Sequence, residues 1–268
     1  MGLNRLNPKQ REAVDYVGGP LLVLAGAGSG KTSVITRKIA YLIQGCGIKG
    51  RHIAALTFTN KASREMKERA SKLVAGPDAR GLTVSTFHNL GLNIIRKEHK
   101  TLGYKPGFSI FDGEDAKALI RDLMMKEGDE NSDSLNYYQM EISNWKNAML
   151  SPEQALQQAK TPDDLVLANV YSVYDRYLKA YNALDFDDLI LKPVQLFRDH
   201  PDILSRWRLK IRYLLVDEYQ DTNMAQYELV KQIVGDRGSL TVVGDDDQSI
   251  YSWRGARPEN LAKLEVDF

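Results

Sequence analysis

The chain has 268 residues, 43% of them hydrophobic, enough for one large domain or two ordinary ones with real cores. Its one cysteine, Cys46, excludes an internal disulfide and fits a reducing compartment; no apolar run is long enough to span a bilayer, so a cytoplasmic protein is expected, without a membrane partner. The net charge of +1 hides an asymmetry: residues 1–100 hold 17 Lys/Arg against 6 Asp/Glu, and the remainder holds 19 against 29, which suits a polyanionic partner or, equally, an unevenly solvated surface.

At the N-terminus, MGLNRLNPKQ lacks the apolar stretch of a signal peptide. Asn7-Pro8 reads as an N-cap followed by proline at the first helical position, opening a helix to about Val17. LLVLA (21–25) is a short apolar run of the kind covered on both faces in a parallel sheet. A glycine-rich turn leads into a helix from Lys31 to about Gln44, ended by Gly45 and Gly47. IAALTF (53–58) is a second buried strand, residues 60–74 form an amphipathic helix, and LTVS (82–85) suggests a third strand. From about Asn89 to about Leu196 the periodicity is mostly helical, broken by a polar loop at 128–133, and strand signals return at YLLVD (213–217) and LTVVGD (240–245). The expected fold is therefore α/β, a RecA-like P-loop domain with a parallel sheet, formed by 1–88 and 197–268. A mostly helical accessory insertion, 89–196, interrupts it.

AGAGSGKT (25–32) sits between a strand and a helix and matches the phosphate-binding P-loop, with Ala25 in place of the first glycine. Small residues (Ala25, Gly26, Ala27, Gly28, Ser29, Gly30) let backbone N–H groups curl around phosphate oxygens at a helix N-terminus. Lys31 would reach the β- and γ-phosphates and Thr32 would ligate Mg2+. A glycine turn that happens to precede Lys-Thr is the plain alternative, weakened by the strand–loop–helix setting. YLLVDEYQD (213–221) supplies the acids such a site needs: Asp217 for Mg2+, and Glu218 to deprotonate the attacking water. Alone, an Asp-Glu pair after a strand is an ordinary helix-start feature.

LNPKQ (6–10), AGAGSGKT (25–32), LTFTNKA (56–62), TVSTFH (83–88), LDFDDLI (184–190), VDEYQD (216–221) and VGDDDQSIYSWRGA (243–256) follow one another in this order. Together they closely resemble the UvrD/Rep family of superfamily-one DNA helicases, over essentially the whole chain. The resemblance implies an ATP- and Mg2+-dependent motor that moves 3′ to 5′ along single-stranded DNA, separates duplexes at single-strand/double-strand junctions, and works with replication or repair proteins. It also implies that Gln10 reads the adenine edge, Arg37 lies near the nucleotide, and Gln248 contacts the γ-phosphate or the attacking water. Phe58, Thr59 and Asn60, then Thr86, Phe87 and His88, then Phe186, resemble DNA contacts, with Tyr251 and Trp253 stacking on bases. Stacking suits a motor that must tolerate every sequence. Core packing competes for Phe58, a helix anchor for Phe186, and a structural histidine for His88. Asp245 to Asp247 are expected to hold their segment in shape.

The family pattern continues with a second RecA-like domain carrying further arginines. The chain is thus expected to be an N-terminal part, weak in hydrolysis alone, since an arginine finger contributes about 10³–10⁵ in rate. The motor of a helicase–nuclease, an ATP-gated binding module and an RNA substrate are competing readings.

Overall fold

A computed structural model describes residues 6–24, 30–128, 132–245, 263, 264 and 266–268. Helix α1 (Pro8–Asp15) starts at Asn7, whose side chain accepts from Gln10 N while Gln10 reaches back to the Asn7 N–H, a reciprocal cap. Strand β1 (Leu21–Leu24) and helix α2 (Lys31–Gln44) follow, then β2 (Ile53–Thr57), α3 (Asn60–Leu73), β3 (Thr83–Thr86) and α4 (Phe87–Leu102). Next come β4 (Ser109–Phe111), α5 (Gly113–Lys126), α6 (Ser132–Asn147), α7 (Pro152–Gln158), α8 (Pro162–Ala180) and β5 (Ala183–Asp185). The chain returns through α9 (Asp188–Asp199), α10 (Pro201–Lys210), β6 (Tyr213–Val216), α11 (Met224–Val234) and β7 (Leu240–Gly244).

Five strands form one sheet in the order β1-β7-β6-β2-β3, with every pairing parallel. Alternate residues of the inner strands serve different cores, as the strand period of two requires. Leu56, Leu214, Val216 and Val242 pack with α4, α9, α10 and α11, whereas Ile53, Ala55, Leu215 and Val243 face the other way, with Ile35, Ile39 and Leu42 of α2. β1 departs from the expected two-sided burial. It is an edge strand, and its Leu22 and Leu24 are exposed.

The helices of 89–196 contribute to more than one hydrophobic cluster. A separate core built from α5, α6, α7 and α8 draws on residues 116–183. Leu90 and Ile94 of α4, and Ile190 and Val194 of α9, are buried instead with β2 and β6. Helical periodicity shows which face of a helix is apolar but not which core receives it. The mostly helical expectation for 89–196 also missed β4 and β5, a parallel pair of three-residue strands too short to leave a periodic signal.

Helices α4 and α9 touch backbone to backbone: a Cβ on Gly91 would lie 1.7 Å from the Leu189 carbonyl oxygen. Gly91→Ala is therefore expected to force the helices apart and destabilise the fold by at least about 1–3 kcal/mol, read as a lower thermal midpoint. An unchanged midpoint would show that the two helices separate freely.

Candidate nucleotide and nucleic-acid site

In an open parallel sheet, ligand sites form beyond the carboxyl ends of the strands. Gly30 follows β1, Phe58 follows β2, Phe87 and His88 follow β3, Asp217 and Glu218 follow β6, and Asp245 follows β7. The topology thus brings residues more than 200 positions apart to one edge of the molecule.

The β1, β7 and β6 ends gather the charged groups. Gly30 caps α2 with φ 78°, a left-handed conformation that suits glycine, and a Cβ there would sit 3.1 Å from Gln10 Nε2. Gln10 therefore lies against the entry to α2. The buried Lys38 ammonium, which donates to the carbonyls of Ala13 and Tyr16, holds α1 there, and burial lowers its pKa to about 8. Arg37, the neighbouring residue on α2, is half-buried. Lys31 and Thr32 open α2, and Lys31 Nζ lies 3.8 Å from Asp245 Oδ2. Asp217 is 6% exposed, and burial, followed by the charge of Glu218, raises its pKa to about 6. Its Oδ1 accepts from the Glu218 N–H at 2.9 Å. Glu218 itself adopts φ 51° and ψ 43°, a left-handed backbone that costs a non-glycine residue about 1–3 kcal/mol.

Asp245 was expected to shape its own segment. Its carboxylate pairs with Lys31, and its N–H donates to Gln220 Oε1 at 2.8 Å. Ala25, Gly26, Ala27, Gly28, Ser29, Asp246, Asp247, Gln248, Tyr251 and Trp253 lie outside the described residues.

The β2 and β3 ends open onto a cleft of about 590 Å3 against the helical insertion, and Phe58, His88 and Phe186 all line it. Phe186 is 53% exposed and stacks on His88, ring centroids 3.9 Å apart and planes inclined by 15°. Phe58 is half-buried, its ring 5.3 Å from that of Phe87. Phe87 is 1% exposed, so its ring serves the core and reaches the cleft only through Phe58. Thr59 and Thr86 cap α3 and α4, accepting from Ala62 N and Asn89 N at 3.1 Å each. Asn60 accepts from Asn89 Nδ2 at 3.3 Å, tying the two helix starts together.

Phe186 is supported by residues that no local motif marks. Lys146, at the end of α6, is fully buried, with its ammonium 2.8 Å from Asp185, 3.0 Å from Asp188 and 3.2 Å from Asp175. Tyr174 also donates to Asp185, and Asp185 and Asp188 each accept the other's backbone N–H. This lattice grips the turn on either side of Phe186 and leaves that ring outside. Of the LDFDDLI stretch, the aspartates had suggested only a helix start.

A glycine-opened helix start, a buried Asp217 beside a half-buried Glu218, and an aromatic cleft thus lie on one edge of the sheet. Residues 6–268 match the model of the UvrD/REP helicase N-terminal domain. The chain belongs to that family. It is 58% identical over 266 residues to the ATP-dependent DNA helicase Rep of Escherichia coli (strain K12), covering 98% of this chain and 39% of that protein. Identity to Rep of Salmonella typhimurium is also 58% over 266 residues, with the same shares of each chain. It is 45% over 270 residues to the ATP-dependent DNA helicase PcrA of Staphylococcus aureus (strain Mu50), covering 99% of this chain and 36% of that protein. The chain thus spans about two fifths of the length of these curated relatives. The UvrD/REP assignment agrees with the parallel five-stranded sheet. No described helix is long and apolar enough to cross a membrane.

Proposed function

We propose that this chain is the first motor half of an ATP-dependent, 3′-to-5′ single-stranded DNA translocase and helicase of replication or repair, acting in the cytoplasm. The observation that carries the reading is the convergence of Lys31, Asp217 and Glu218 at the strand ends beside a cleft with an exposed, stacked aromatic pair. ATP phosphates would lie over the N-terminus of α2, where the helix dipole and Lys31 both favour negative charge. A phosphate there competes with Asp245 for the Lys31 ammonium. Gln10 and Arg37 flank the nucleotide, Gln248 contacts the γ-phosphate or the attacking water, and Glu218 orients and deprotonates that water.

A divalent cation fits the residues present. Asp217 is buried beside Glu218 at a cost that its raised pKa records, and a cation would relieve it. Among the described residues no group of three or more His, Cys, Asp or Glu side chains could hold a metal. Asp217 and the Thr32 hydroxyl would thus share Mg2+ with phosphate oxygens and water, as this ion prefers. The ion supplies charge neutralisation at the phosphates. Asp217 holds it in place, and Glu218 remains available to accept a proton.

Single-stranded DNA would run across the β2 and β3 ends, over Phe58, Thr59, Asn60, Thr86 and His88, with Phe186, Tyr251 and Trp253 offering ring faces to bases. A second motor domain, in a protein of the relatives' length, would close the nucleotide site and supply further cations. The test is ATP hydrolysis by the full-length protein with single-stranded DNA, single-stranded RNA or neither. Stimulation by DNA alone supports the reading, and equal stimulation by RNA sinks the DNA assignment. Phe186→Ala is expected to weaken single-stranded DNA binding by about 1–3 kcal/mol, the scale of one stacked base. Unchanged affinity would return Phe186 to a purely structural role.

A further inference from the structure

Gln220 stands two residues beyond Glu218, is 3% exposed, and uses both ends of its amide. Its Nε2 donates to Glu218 Oε2 at 2.5 Å, and its Oε1 accepts from the backbone N–H of Asp245 at 2.8 Å. We propose that Gln220 is the positioning residue for Glu218, fixing that carboxylate against the end of β7. The proposal rests on the reading of Glu218 as the base that activates water.

The chemistry of the two partners fixes the amide's orientation. A backbone N–H can only donate, so the oxygen of Gln220 must face Asp245; an ionised carboxylate can only accept, so the nitrogen must face Glu218. A glutamine meets both demands without a charge of its own. A lysine's positive charge would lower the basicity of the carboxylate, and an acid would repel it. Glu218 needs such a guide because its backbone is left-handed and its side chain leaves the strand end at an angle that β6 alone does not set. The bond to Asp245 matters for a second reason. Asp245 also pairs with Lys31, so Lys31, Asp245, Gln220 and Glu218 form one chain of contacts from the phosphate side of the site to its base. A nucleotide that draws Lys31 from Asp245 acts on the strand end to which Gln220 is tied.

The experiment uses the full-length protein, with the hydrolysis rate constant, nucleotide affinity and thermal midpoint measured for each variant. Glu218→Gln calibrates the reading, with an expected loss in kcat of about 10²–10⁴. Gln220→Met, close in size and unable to form either bond, is expected to lose about 10–100-fold in kcat, the scale of outer-shell partners, with nucleotide affinity within about 3-fold. Gln220→Glu keeps an oxygen for Asp245 but loses the donor to Glu218, so it should lose as much kcat as Gln220→Met. In a Glu218→Gln background, Gln220→Met should cost nothing further, because a guide without its base has nothing to orient. Four outcomes overturn the proposal: Gln220→Glu hydrolysing at the parent rate; a full multiplicative loss in the double variant; nucleotide affinity falling in step with kcat; or both Gln220 variants failing to fold, which assigns the residue to structure. A Glu218→Gln variant that hydrolyses normally rejects the base itself and the proposal with it. Loss in Glu218→Gln with full activity in Gln220→Glu rejects the positioning role alone.

Discussion

Lys146→Met is expected to destabilise the fold by about 3–5 kcal/mol, because it strands two buried carboxylates without their cation. Asp185 is 5% exposed and Asp188 1% exposed, and both touch the Lys146 ammonium directly. Burial opposes the charge on Lys146, but Asp185, Asp188 and Asp175 outweigh it and hold its pKa well above the ordinary lysine value. For Asp188, burial likewise pushes upward, and Lys146 and then Lys192 pull its carboxyl below the ordinary range. A depressed acid contributes stability that is present above its unfolded pKa and lost as pH falls through its folded one. Burial, and then the charge of Asp188, already raise the Asp185 carboxyl above its ordinary value despite Lys146. Without Lys146, Asp185 rises further and burial lifts Asp188 above the unfolded value as well. The native state then binds protons more readily than the unfolded chain, so stability increases as pH falls. The deficit of Lys146→Met should therefore shrink between pH 7 and pH 5, and adding Asp185→Asn and Asp188→Asn should recover most of it. Denaturant titrations across that pH range provide the check. A loss below about 1 kcal/mol, or a deficit that grows on acidification, would mean that water reaches the cluster.

The Lys146 lattice also shows where sequence reading reaches its limit. Asp185, Phe186 and Asp188 form a visible motif, but Lys146 lies 39 residues before Asp185, among ordinary helical residues. Nothing local distinguishes it from the solvated lysines of other helices. The sheet was far more legible. The apolar run of β6, the alternation of strand and helix, and the start and end of α2 at Lys31 and Gln44 all follow from local pattern and caps. Which core a helix joins was not legible, as α4 and α9 show, since amphipathicity is a property of one helix and docking is a property of two. Phe58 and Phe87 make the same point at the site. Both lie in motifs that imply DNA contact, yet one ring lines the cleft and the other is buried behind it. Gln220 could have been suspected as a buried polar residue beside two acids, but its tie to Asp245 depends on the β6–β7 pairing.

Asp217→Asn is expected to stabilise the nucleotide-free, chelator-treated protein while disabling the motor. Burial first and Glu218 second raise the Asp217 pKa from 3.8 to about 6. A raised acid makes the folded state weaker wherever that acid is ionised. The penalty is full above about pH 6, fades as pH falls through the folded value, and is gone below about pH 4. A gap of about two units corresponds to roughly 3 kcal/mol. Asparagine keeps an oxygen for the Glu218 N–H and removes the charge, so the variant should gain about 2–3 kcal/mol at pH 8 and nothing at pH 4. Hydrolysis in the full-length protein should fall by at least about 100-fold, since outer-shell partners of a metal alone cost 10–100-fold. Both signs are needed. A variant that is inactive and also less stable at pH 8 would make Asp217 a structural residue. One that is more stable and still active would remove it from the metal site. The expected pairing places Asp217 among residues kept at the expense of stability, which is how a buried carboxylate next to another carboxylate persists in a fold that an amide would suit better.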